Sequence, residues 1–382
     1  MRDRGLAFFL LLSIAFESSA EGSVILRPSL SITGEYTDNF FFTQSDPQEE
    51  FTTILSPGVV VTQKNRDLAL MGRYWGGVTH NLLYTEENRY RQGLALDIDL
   101  PFLSRFFRGV AVHISERAEQ AQNRTISHST AAEEIMSTAK GRIDTVSHLG
   151  TIRIDSKWAP KWFSTLTYDN ASIHYKGSLL EDVISHDTSL SGRYEIDPGR
   201  SSLTVVYGIL NTDFERARDT EAGRVSITGR QGFDPTSSWH GSIGESWVSG
   251  GPKKLISQIG FSKQVRLTLL GIDYLRSVDA REGVIAAAVL RQGLTARMSR
   301  PINVKSLLTL GLEYERQNAL SGPEAKLSSQ ALTAGFTTRF SSAFSGSIHY
   351  TYLDEQGRGL LIEDVQRNVV GFTFYASPSG WK

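Results

Sequence analysis

The residues whose spacing carries the clearest chemical meaning are two carboxylate pairs, Asp97 with Asp99 and Glu313 with Glu315. Each pair sits two residues apart in a segment of alternating hydrophobicity. On an extended strand both carboxyl groups then project from one face, about 7 Å apart. That spacing falls in the range of inverting glycosidases, where one carboxyl group protonates the leaving oxygen and the other activates water. The plainer reading is that these acids line a water-filled passage and set its selectivity. Arg193 and Glu195, with Arg73, Arg153 and Arg339, fall on the corresponding polar faces of their own segments. The surface so implied is mixed in sign, and no strong preference for cations or anions follows.

The other reactive residue types form no constellation. Eight histidines (80, 113, 128, 148, 174, 186, 240, 349) are scattered without a His-Glu-x-x-His spacing, so no metal centre is expected. Cysteine is absent, which removes disulfides and thiolate chemistry. No phosphate-binding glycine loop, nucleotide motif or haem motif is present, and no cofactor is expected. A net charge of −1 offers no basic field for nucleic acid.

The elements that must position the acids are strands. In Leu308 to Arg316 the side chains of Leu308, Leu310, Leu312 and Tyr314 fall on one face, and Thr309, Gly311, Glu313 and Glu315 on the other. One face suits hydrocarbon and the other suits water. The rhythm recurs in Leu30, Ile32, Gly34 and Tyr36, in Leu94, Leu96 and Ile98, in Leu190, Gly192 and Tyr194, and in Leu203, Val205 and Tyr207. Short reversals at 63–66, 101–105, 157–161, 197–200, 233–236, 263–266, 300–303 and 341–343 alternate with longer polar connections. Runs of nine or more residues match the roughly 9 to 11 of a tilted membrane-spanning strand. Together these features predict an all-β, antiparallel, up-and-down transmembrane barrel of about 18 strands, with 16 fitting the pattern as well. Trp158 and Trp162 bracket one short turn and Phe340 and Phe344 another, as an interfacial girdle requires. The 40% hydrophobic content resembles that of a soluble protein because strands of such a barrel expose only alternate residues to lipid.

Residues 1–20 read as a signal peptide: Arg2 and Arg4, an apolar Leu6 to Phe16, and a small-residue Ser18-Ser19-Ala20. Residues 21–382 then form a single barrel domain. The longest irregular stretch, Arg117 to Ile143, contains Thr130-Ala131-Ala132-Glu133 at capping-box spacing; one reading folds this stretch into the lumen as a constriction, and the plainer one makes it a mobile surface loop or strands extended above the membrane.

The run Pro28-Ser29-Leu30-Ser31, Glu35-Tyr36-Thr37-Asp38-Asn39 and Leu55-Ser56-Pro57-Gly58 resembles a family of outer-membrane β-barrel porins associated with exopolysaccharide or exosortase (PEP-CTERM) gene clusters. The resemblance implies a Gram-negative outer-membrane protein in contact with outer-membrane lipid, and a role in envelope polysaccharide export. It carries over no catalytic residue. The expected function is a passive pore or export conduit for polysaccharide or small hydrophilic solutes, with Asp97, Asp99, Arg193, Glu195, Glu313 and Glu315 lining it. The alternatives are a structural barrel with a closed lumen, and a barrel hydrolase.

Overall fold

A computed structural model describes residues 23–122, 144–176, 182–214, 219–249, 251, 253–279, 289–320, 326–358 and 364–377. The chain folds into strands β1 (Ser23–Thr37), β2 (Glu50–Lys64), β3 (Ala69–Asn81), β4 (Arg89–Asp99), β5 (Val110–Gln122), β6 (Asp144–Ala159), β7 (Trp162–Lys176), β8 (Val183–Asp197) and β9 (Ser201–Phe214). These are followed by β10 (Thr220–Asp234), β11 (Ser237–Val248), β12 (Lys254–Val265), β13 (Thr268–Asp279), β14 (Val289–Asn303), β15 (Ser306–Ala319), β16 (Lys326–Arg339), β17 (Phe344–Arg358) and β18 (Val365–Ala376). Each strand pairs antiparallel with its sequence neighbours. β1 also pairs with β18 from Leu30↔Ala376 to Thr37↔Val369, so the 18-stranded sheet closes on itself.

Closure answers the edge problem, since every strand has a partner on both sides. The strands run from 11 to 16 residues, longer than a bilayer core demands, so their ends extend past it. Cross-strand partners share a face, and the register therefore sorts every side chain. The row Leu96, Ile98, Ile114, Ile152, Tyr168, Leu190 and Tyr207 faces outward, and Leu310, Leu312, Ile348 and Phe372 continue the apolar belt farther round. Apart from the half-buried Leu96, Ile98 and Ile114, these large apolar groups keep 38% or more of their surface free, a cost in water and a requirement in lipid. Polar pairs interrupt the belt: outward-facing Glu116 and His148 meet at 3.1 Å, and Asn170 and His186 at 3.0 Å.

Trp158, Trp162, Phe106, Phe233, Phe340 and Phe344 stand exposed beside the short turns, forming one aromatic girdle. Two expectations need correcting. Arg117 to Gln122 belongs to β5, as an extended strand, rather than to an irregular loop. The reversal after β4 is longer than expected because Leu103–Phe106 forms one helical turn, α1, and Gly109 follows at φ +81, so β5 starts at Val110. The signal peptide and the capping-box segment lie outside the described residues.

Candidate functional site

The lumen wall is built by the residues that alternate with the apolar belt. On β4 Asp97 and Asp99 lie opposite Leu96 and Ile98; on β8 Arg193 and Glu195 lie opposite Tyr194; on β15 Glu313 and Glu315 lie opposite Leu312 and Tyr314. β4, β8 and β15 are far apart in the strand order, so the three pairs occupy separate sectors of the wall instead of meeting in one site.

Each pair has its own environment. The longer reversal at α1 sets Asp99 opposite His113, and His113 Nδ1 lies 2.8 Å from Asp99 Oδ1 while its Nε2 lies 3.9 Å from Asp97 Oδ1. The imidazole thus stands against both carboxylates, a contact that a turn confined to 101–105 would not create. Arg193 reaches Glu195 at 3.3 Å, and its guanidinium lies 4.5 Å from the centre of the Phe163 ring. Glu315 is 2% exposed, receives Gln317 Nε2 at 2.8 Å and pairs with Arg291 from β14. A buried charge needs such partners to offset its lost hydration. Among the described residues no group of three or more His, Asp or Glu side chains is arranged to hold a metal ion.

Beyond these lies a feature that the alternation pattern does not signal. The connection 38–49 folds inward over the long-loop end of the barrel. Its Phe40 is 0% and Phe42 3% exposed, although both sit in a polar loop. Asp38 accepts from the backbone N–H of Asn368 at 2.7 Å and from its side-chain amide at 2.6 Å, and Asn39 Nδ2 donates to the Gln366 carbonyl at 3.0 Å. Arg367 donates from Nε to Thr37 Oγ1 at 3.0 Å and lays its guanidinium 4.4 Å from the Phe42 ring centre. Phe42 itself has φ 57, a left-handed conformation that is costly for a bulky residue and persists only where surrounding contacts impose it.

A second loop braces the first. Tyr84 stacks on Phe40 with ring centres 5.3 Å apart, meets Phe41 edge-on at 4.8 Å, and donates to Gln48 Oε1 at 2.9 Å. Tyr84 is held by Glu50, whose carboxylate accepts from the backbone N–H groups of Phe51, Leu82, Leu83 and Tyr84 at 2.7 to 3.2 Å. Glu50 is 1% exposed. Four converging amides replace the water that the carboxylate gave up. The only sequence sign of this closure was the density of aromatics in Phe40-Phe41-Phe42 beside a polar run.

At the other end of the lumen a cavity of about 490 Å³ opens between β5 and β9, bordered by Arg153, Asp155, Lys157, Phe163, Thr167 and Arg193 among others. The two ends of the passage are therefore unlike: one is packed and tied, the other open and charged.

No protein-family model and no curated protein matches the sequence. Solved structures do match in shape. Pseudomonas aeruginosa OccK9 (OpdG) superposes with a TM-score of 0.53 at 12% identity, over 92% of this chain and 98% of that one. P. aeruginosa OpdQ gives 0.53 at 8% identity over 93% and 98% of the two chains, and P. aeruginosa OpdK, solved with vanillate, gives 0.51 at 10% over 92% and 98%. At these identities the likeness speaks for fold alone. With its outward apolar belt and closed antiparallel sheet, the chain is an outer-membrane β-barrel built on the porin fold.

Proposed function

We propose that the chain is a passive pore of a Gram-negative outer membrane, admitting small hydrophilic solutes. The observation that carries this reading is the inner wall: charged and hydroxyl side chains around a closed 18-stranded ring, behind a predominantly apolar exterior. A ring of this size leaves an aqueous interior unless loops fill it. Asp97, Asp99, Arg193, Glu195, Glu313 and Glu315 act as selectivity-setting wall groups in this reading, and no covalent chemistry is required of them. The dispersal of the carboxylate pairs, with His113 against one and Arg291 against another, argues against a paired acid and base at work on a glycosidic bond. Export of envelope polysaccharide remains the proposal of the N-terminal resemblance alone.

The inward loop 38–49 favours a narrowed or gated pore over a wide one. The test is single-channel conductance of the purified, folded protein in a planar bilayer, with ion selectivity and a graded series of neutral sugars. A steady conductance blocked only by short sugars supports a narrowed pore for small solutes; blocking by long oligosaccharides supports a polysaccharide conduit. Silence from protein whose folding is verified by spectroscopy would overturn the pore in favour of a closed structural barrel.

A further inference from the structure

We propose that the cavity at the short-turn end of the lumen is a binding subsite for the anionic group of a polyhydroxylated solute, a sugar carrying a carboxylate or a phosphate. The inference rests on the pore reading only for the route by which such a solute arrives. One inner-face row crosses four strands: Lys157 on β6 pairs with Phe163 on β7, which pairs with Arg193 on β8, which pairs with Thr204 on β9. The Lys157 ammonium stands 5.3 Å and the Arg193 guanidinium 4.5 Å from the Phe163 ring centre. A ring face attracts cations through its quadrupole, so Phe163 holds two like charges near each other that would otherwise separate.

The cavity's one lining carboxylate does not cancel them. Asp155 is occupied by Arg153, with Nε 2.9 Å from Oδ2 and Nη2 3.0 Å from Oδ1, and Thr165 Oγ1 donates to the same Oδ1 at 2.6 Å. Arg153 and Asp155 thus neutralise each other in a forked pair. Arg193 makes a single contact with Glu195 at 3.3 Å and keeps its other donors, and Lys157 has no carboxylate partner among the described residues. What remains facing the cavity is a surplus of positive charge bordered by the hydroxyls of Thr167, Ser191 and Thr204. Cations presented at a fixed distance suit a two-oxygen anion, and hydroxyls suit a polyol. The volume of about 490 Å³ accommodates one hexose derivative.

The experiment is calorimetric titration of the folded, full-length mature barrel in detergent with galacturonate, glucose 6-phosphate and neutral glucose, run on the wild type and on Lys157→Gln/Arg193→Gln. Native folding of each variant is checked by its heat-modifiable gel mobility, and Phe163→Leu serves as a second variant that keeps both charges and removes their brace. The expected result is saturable binding of the anions and none of glucose, with about tenfold weaker binding in the double variant, the scale of a lost charge-assisted hydrogen bond. Phe163→Leu weakens binding to a lesser degree. Binding of glucose 6-phosphate that falls below about pH 6 while galacturonate binding persists identifies the phosphate dianion as the preferred form. Equal titration by glucose, anion binding unchanged in the double variant, or no anion binding by the wild type overturns the proposal. Conductance separates the two readings: anion binding by a silent barrel refutes only the pore, and a conducting barrel that binds no anion refutes only the subsite.

Discussion

Replacing Glu50 with Gln should release the mouth of the barrel while leaving its wall intact. The Glu50 side chain is 1% exposed, and its Oε2 accepts from the N–H groups of Leu83 and Tyr84 while Oε1 accepts from those of Phe51, Leu82 and Leu83. An amide retains one acceptor oxygen and turns an NH2 toward these N–H groups, of which that of Leu82 keeps a second acceptor, the Phe51 carbonyl at 3.0 Å. Losing one charge-assisted set, with donors left unsatisfied, costs about 3 kcal/mol in local stability. Hydrogen exchange followed by mass spectrometry reads this directly. In the limit where reclosing outpaces exchange, that cost accelerates exchange at Leu83 and Tyr84 on the order of 100-fold. Tyr84 should then leave Phe40, and bilayer recordings should show more frequent current fluctuations. Glu49→Gln is the matched control, because Glu49 only accepts the exposed Tyr36 hydroxyl at 2.8 Å. Exchange at Leu83 and Tyr84 indistinguishable from wild type in Glu50→Gln would refute the idea that this carboxylate holds the segment.

Leu312→Arg places a charge on the lipid face and should destabilise the folded barrel by about 2 to 4 kcal/mol in denaturant titrations, whereas inward-facing Thr309→Arg should leave stability near wild type. Asp97→Asn with Asp99→Asn removes two wall charges and releases His113, and should shift the reversal potential in a salt gradient toward anions. The Trp75 ring lies flat where a side chain on Gly93 would stand, so Gly93→Val should displace it, costing about 1 to 3 kcal/mol and moving its fluorescence to the red. Arg291→Ala leaves Glu315 buried without its cation and should cost about 3 to 5 kcal/mol, again by denaturant titration.

The wall of this barrel was legible in the sequence because its rule is local. Leu308, Leu310 and Leu312 announce their shared face without reference to any other strand, and the alternation of short and long connections supplies strand order. Register was less legible. Asp99 meets His113 because α1 and the left-handed Gly109 lengthen a reversal, and α1 is a single four-residue turn too short to carry a periodic signal. The mouth was hardly legible at all. Phe42 is fixed by Arg367, a residue over three hundred positions later, and nothing in either neighbourhood anticipates that contact. The Phe163 brace belongs to the same class, since Lys157 and Arg193 converge on one ring only once three strands are in register.

These differences in legibility follow a division of labour along the passage. Conductance is governed by the narrowest section, and the packed section is the long-loop end, where aromatic rings and backbone amides are held by Glu50, Tyr84 and Arg367. Selectivity is governed by fixed charge facing water. Near the short turns that charge is arranged as a neutral forked pair, Arg153 with Asp155, beside a row in which Lys157 and Arg193 outnumber the one carboxylate, Glu195, that pairs with them. Substitutions at the mouth should therefore change how much current flows with little effect on which ions carry it, and substitutions in the row should do the reverse. A pore in which both quantities moved together under either set would have its constriction and its selective charges at one level, contrary to the separation built into these two ends.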